Sequence, residues 1–140
     1  GSVPEEKQDA EQLHFEGLHI LLAEDNELNW EIAHEILTEV GFEVDWAEDG
    51  KICVDKFIQS EPGYYDVVLM DIRMPVMNGY EAAKALRSLD RPDANLPIIA
   101  MTADAFSEDI QHCLECGMNE HVAKPIDIQK LMKLLKTYLN

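Results

Sequence analysis

Three apolar runs and one short strand in this chain stop abruptly at polar residues. Ile20–Ala23 gives way to Glu24 and Asp25, Val67–Met70 to Asp71, Leu96–Met101 to Thr102, and Glu120–Ala123 to Lys124. Three carboxylates brought within a few ångströms repel one another and call for a cation among them. Donors that are all oxygen favour Mg²⁺, Mn²⁺ or Ca²⁺ over zinc. A lysine opposite and a hydroxyl donor would complete an electrostatic clamp for a phosphoryl group. One of the aspartates could itself be the nucleophile, giving an aspartyl phosphate.

The elements around these residues must bring them together. Ile20–Ala23 reads as a buried strand. Leu28, Ile32, Ile36 and Val40 recur at fours and predict a helix that Gly41 terminates. Phe42–Trp46 alternates apolar and acidic residues, like a half-exposed strand. Ile52 and Phe57 mark a second helix after Asp49 and Gly50, and Tyr65–Met70 a fully apolar strand. Asn78, with Glu81 three residues on, resembles a helix start. Leu96–Met101 is the next strand, residues 107–116 a helix closed by Gly117, and Glu120–Ala123 a short strand. The last helix carries Ile128, Leu131, Leu135 and Tyr138, with Asp127 as its cap. Five βα units with non-alternating strands imply a parallel sheet covered on both faces. Ligands of such sheets bind outside the carboxyl ends of the strands, where all five polar residues fall.

Composition narrows the alternatives. The chain has 140 residues, with 28 Asp and Glu against 11 Lys and Arg, for a net charge of −17. That length suits one domain, and 46% apolar residues suffice for a core. The acidic balance argues against nucleic acid and against anionic membranes as partners. No apolar run approaches the ~20 residues that span a bilayer, and the opening residues do not read as a signal peptide. Three cysteines, an odd number, suggest a reducing compartment, hence the cytoplasm. Gly1-Ser2 reads as a cloning remnant. Residues 1–17 read as an acidic linker or tail ending in a short helix around Gln12–Phe15, and residues 18–140 as the folded domain.

The runs LLAEDN (21–26), VVLMDIRMPVMNGYEA (67–82), PIIAMTADAF (97–106) and AKPI (123–126) resemble the receiver domain of two-component response regulators. Four separated blocks match in order, and the resemblance covers residues 18–139. EDNELN, DIRMPVMNG and GMNEHVAKPID look most like receivers at the end of hybrid sensor histidine kinases. The resemblance implies a flavodoxin-like (βα)5 fold, doubly wound, with a five-stranded parallel sheet in the order 2-1-3-4-5.

By position, the resemblance makes Asp71 the phosphoacceptor. Glu24 and Asp25 become the acidic pair for Mg²⁺, with Asp71 and the Arg73 carbonyl as further ligands. Glu24 stands where many receivers carry Asp, and its longer arm favours coordination through water. Thr102 is the switch hydroxyl, Ala103 keeps the approach open, and Lys124 pairs with the phosphate, the Lys124–Pro125 bond being cis. His121 departs from the usual Tyr or Phe of the switch; either it is a half-exposed histidine without a role or it makes the coupling pH-sensitive. Arg73 and Asp104 occupy positions that tune the phosphoryl lifetime; they pair across the water's path or are simply solvated.

The implied partner is the phosphohistidine of a kinase or of a histidine phosphotransfer domain, docking on the first helix near Trp30 and His34. The face of helix four, strand five and helix five would carry the switch and any dimer contact. The implied parent is a hybrid histidine kinase, cytoplasmic in this part even where the kinase is membrane-anchored, or a free-standing regulator. Two rivals are weaker. A metal-dependent phosphatase with an aspartyl nucleophile needs an acid two residues later, where Arg73 stands, and a flavin module needs a phosphate loop that Glu24-Asp25-Asn26 would repel. His112, Cys113, Cys116 and His121 have a zinc-like spacing, but Cys113 falls on the buried helix face. Trp30, Trp46 and Met70, Met74, Met77 and Met101 read as packing. Lys130, Lys133 and Lys136 read as a solvated face or a local docking patch.

Overall fold

The computed structural model describes residues 14–103 and 107–139. Strands β1 (His19–Ala23), β2 (Glu43–Ala47), β3 (Val67–Asp71), β4 (Ile98–Thr102) and β5 (Glu120–Ala123) alternate with five helices. These are α1 (Glu27–Glu39), α2 (Gly50–Gln59), α3 (Gly79–Arg87), α4 (Ser107–Glu115) and α5 (Ile128–Leu139). The sheet is parallel throughout and ordered β2-β1-β3-β4-β5, the order implied by the resemblance.

Successive strand residues point to opposite faces, so the sheet divides the core in two. Leu21, Ala23, Val68, Met70, Ile98 and Ala100 pack against α2, α3 and α4. Ile20, Leu22, Val67, Leu69, Ile99 and Met101 pack against α1 and α5. This two-sided burial is why β1, β3 and β4 lack polar alternation. Side-chain caps start four of the helices, Asn78 and Asp127 as the sequence predicts and Asn26 and Asp49 besides. Asn26 Oδ1 accepts from the Asn29 N–H at 3.0 Å, Asp49 Oδ1 from Ile52 at 2.8 Å, and Asp127 Oδ1 from Lys130 at 3.2 Å. Asn78 and Glu81 form a reciprocal capping box.

Two local expectations change. Helix α1 forms, but Leu28 and Ile32 are 64% and 48% exposed, while Ala33 and Leu37 meet the sheet. A repeat of four advances 40° beyond a full turn, so the stripe starts in solvent at Leu28 and Ile32 and reaches the core only at Ile36 and Val40. Phe15, in the leading segment, is buried: it stacks on Phe42 with centroids 4.5 Å apart, and its N–H donates to the Val40 carbonyl. It is not helical, and Gln12 and Leu13 of the expected short helix lie outside the described residues.

Candidate functional site

The ladder aligns Ala23 with Met70, Asp71 with Met101 and Thr102 with Ala123. In-register strands therefore release their next residues at one edge of the sheet. There Glu24, Asp25, Asp71, Thr102, Ala103 and Lys124 line a cleft of about 260 Å³. Glu24, Asp25 and Asp71 each offer a carboxylate oxygen within 4.8 Å of the others. Among the described residues, this is the one group of His, Cys, Asp and Glu side chains able to close on a metal. Lys124 Nζ sits 3.0 Å from Asp71 Oδ2 and 3.0 Å from Glu24 Oε1. Thr102, at the end of β4, is buried, as are Glu24 and Asp71, whereas Asp25 is exposed.

These groups perturb one another strongly. Burial pushes Glu24 up to about 7, against the Asn26 N–H that donates to Oε2 at 3.1 Å, and the nearby Asp71 carboxylate pushes the same way as burial. Burial also opposes the Lys124 ammonium, but the hydrogen bonds it donates to Asp71 and Glu24 outweigh burial and hold Lys124 above its ordinary value. One ammonium faces three carboxylates, two of them buried. A cleft of that composition, with oxygen donors only, fits a divalent cation of the Mg²⁺ type.

The loop after β3 is shaped by close backbone approaches. A Cβ at Gly79 would lie 2.4 Å from the Asp71 carbonyl oxygen, and one at Gly50 would lie 2.2 Å from that of Met77. The Gly79 and Gly50 N–H groups instead donate to the Ile72 and Met77 carbonyls. The chain between them bends through Val76, at φ 67°, with the Met77 N–H donating to Pro75 at 2.7 Å. Arg73 lies on this loop with its side chain exposed, and its N–H approaches Asp71 Oδ1 at 3.3 Å.

The profile of the response regulator receiver domain matches residues 20–136, most of the chain. This chain belongs to the receiver family. A peroxide stress-activated histidine kinase of Schizosaccharomyces pombe is 34% identical over 142 residues, covering 97% of the receiver. Hybrid signal transduction histidine kinase M of Dictyostelium discoideum is 41% identical over 119 residues, covering 84%. The chain spans only 9% and 5% of the lengths of those two relatives. Among solved structures, the receiver of a sensor histidine kinase from Pseudomonas aeruginosa, with a magnesium ion in its active-site cleft, superposes with a TM-score of 0.78. The two are 36% identical over 87% of this chain and 97% of that one. A Saccharomyces cerevisiae receiver, solved with a histidine phosphotransfer protein, gives 0.78 at 26% identity over 89% of this chain and 90% of that one.

The receiver's remaining sequence-predicted residues fall into place unevenly. The Lys124–Pro125 bond is cis. His121, on β5, lies away from the acidic cleft, with its Nε2 3.4 Å from Lys130 Nζ. Burial and then the Lys130 charge lower His121 below its ordinary value, disfavouring the imidazolium. Asp104 lies outside the described residues. His112 stacks on Tyr80 at 3.8 Å, while Cys113 and Cys116 are buried in the core, so the zinc-like spacing brings no metal site together. Sequence reasoning missed one contact to the cleft's main chain. The indole N–H of Trp46, taken as a packing residue, donates to the Glu24 carbonyl at 2.7 Å.

Proposed function

We propose that this receiver takes a phosphoryl group from a phosphohistidine onto Asp71 and changes conformation to pass the signal on. The observation that carries the reading is a buried aspartate at a strand end, held 3.0 Å from a lysine amine beside two further carboxylates and a buried threonine. An Asp71 carboxylate oxygen attacks phosphorus, the N–P bond of the phosphohistidine breaks, and the electron pair leaves with the imidazole. Lys124 offsets the charge on the transferring group, so catalysis is positioning and electrostatics. Glu24, Asp25, Asp71 and the Arg73 carbonyl would hold Mg²⁺, which supplies Lewis-acid stabilisation of the phosphoryl oxygens when bound; Mn²⁺ or Ca²⁺ suit the same donors. Thr102 turns its hydroxyl onto the new phosphoryl oxygens and biases the α4–β5–α5 face, including His121, towards the active state. Arg73 and Asp104 flank the water that ends the phosphorylated state.

Partner and setting follow the relatives. The donor is the phosphohistidine of a kinase or phosphotransfer domain, seated on α1, where Leu28 and Ile32 leave apolar surface in solvent. The parent is a hybrid histidine kinase, with 18–140 as this domain, Phe15 of the leading segment added to its core, and the residues before it as linker; the compartment is the cytoplasm. A free-standing regulator is the alternative parent. Two copies pair, where they do, through α4–β5–α5, which exposes Leu114 and Ile128. No helix among the described residues is long and apolar enough to cross a membrane.

The test uses acetyl phosphate and Mg²⁺ with intact-mass detection. Wild type gains one phosphoryl group, Asp71→Asn gains none, and neither turns over phosphomonoesters. Labelling of Asp71→Asn at the wild-type rate overturns the assignment.

A further inference from the structure

The segment carrying the acidic pair bridges β1 and α1, outside any regular ladder. Strand β2, the neighbour of β1, ends at Ala47, whose carbonyl accepts the Glu24 N–H at 3.0 Å. The Glu24 carbonyl accepts from β2 in another way, through the indole N–H of Trp46 at 2.7 Å. That carbonyl belongs to the peptide plane joining Glu24 to Asp25. Its hydrogen bond therefore sets the direction in which both carboxylates leave the main chain.

Trp46 is itself restrained from two sides. Its ring lies parallel to Trp30 of α1, with centroids 5.0 Å apart and 4° between planes. Its own carbonyl accepts from Lys56 Nζ of α2 at 2.6 Å. A half-buried indole clamped this way has few alternatives to the direction it points its donor.

We infer that Trp46 is a positioning residue for the metal cleft, using its indole N–H to orient the Glu24–Asp25 peptide. The inference rests on the proposed reading of Glu24 and Asp25 as ligands of a divalent cation. Partners that orient metal ligands govern affinity without touching the ion, typically by about 10- to 100-fold. Trp46 acts through one peptide plane, at the lower end of that range.

Calorimetric Mg²⁺ titration of the whole chain, wild type against Trp46→Phe, tests it. Phenylalanine keeps a ring against Trp30 but removes the donor. The expected result is a Kd about tenfold weaker with unchanged circular dichroism. A folded Trp46→Phe protein that binds Mg²⁺ within twofold of wild type overturns the inference. Should Trp46→Phe not fold, Trp30→Phe decides, because Trp46 is then the sole tryptophan: its emission and its indole N–H resonance must move with Mg²⁺ at the calorimetric Kd. Signals that stay still overturn the inference. Wild type taking up no Mg²⁺ overturns the metal reading, and this inference with it, whereas tight wild-type binding with an indifferent Trp46 removes only the inference.

Discussion

A carboxylate that loses its water must find a cation or take up a proton, and Glu24 is poised between the two. Its oxygens meet Lys124 and the Asn26 N–H, yet burial and Asp71 hold it at about 7. The folded chain thus binds this proton more tightly than the unfolded chain, where the group titrates near 4.5. Stability from that preference is complete below 4.5 and is lost as pH rises through 7. Metal-free wild type should therefore lose a few degrees of melting temperature between pH 5.5 and 8 relative to Glu24→Gln, which cannot titrate. Added Mg²⁺ competes for the proton's place. Near pH 6.5 its binding should release protons, read as a buffer-dependent calorimetric enthalpy that disappears in Glu24→Gln.

At the scale of elements, the loop from β3 to α3 is the most constrained stretch around the cleft. Glycines at 50 and 79 let two backbones meet at distances no side chain would permit. Between them Val76 sits at φ 67°, a tight turn that β-branched residues avoid, and it is 79% exposed. Its side chain repays little of that strain through packing. Val76→Gly should therefore stabilise the domain by about 1 kcal/mol, the relief exceeding the entropy glycine adds to the unfolded chain. Urea unfolding measures it, and a loss of stability would show that Val76 packs more than its exposure indicates. Helix α1 teaches a second lesson. Its apolar residues at fours correctly signal a helix, but the sheet meets the face of Ala33 and Leu37 and leaves Leu28 and Ile32 to solvent.

Across the whole molecule, Arg87 ties together parts that are distant in sequence. Its guanidinium donates to the carbonyls of Gly117, Ala94 and Leu96 and to Asn119 Oδ1, all at 2.7–2.9 Å. The end of α3 is thereby joined to the entry of β4 and to the turn before β5, fixing the strands that end in Thr102 and Ala123. No carboxylate is among these four acceptors, and burial lowers Arg87 below its ordinary value. Arg87→Met keeps most of the stem's apolar bulk but orphans the acceptors, and should cost about 3 kcal/mol. A shift in the urea midpoint with an unchanged slope would confirm a pure stability effect.

The sequence by itself determined where the strands end and which polar residues stand there. Period and polarity are local properties, and Glu24, Asp25, Asp71, Thr102 and Lys124 each follow an apolar run or a short strand. The strand order came instead from the match of four blocks to a known family, because which strand neighbours which leaves no trace in periodicity. Only the tertiary structure decided that Glu24 holds a proton near neutrality, that burial and Lys130 hold His121 below its ordinary value, and that Trp46 and Arg87 spend their donors on distant carbonyls. Burial sums over every element packed around a group, and a main-chain acceptor looks alike at every position. Neither can be read from neighbours along the chain.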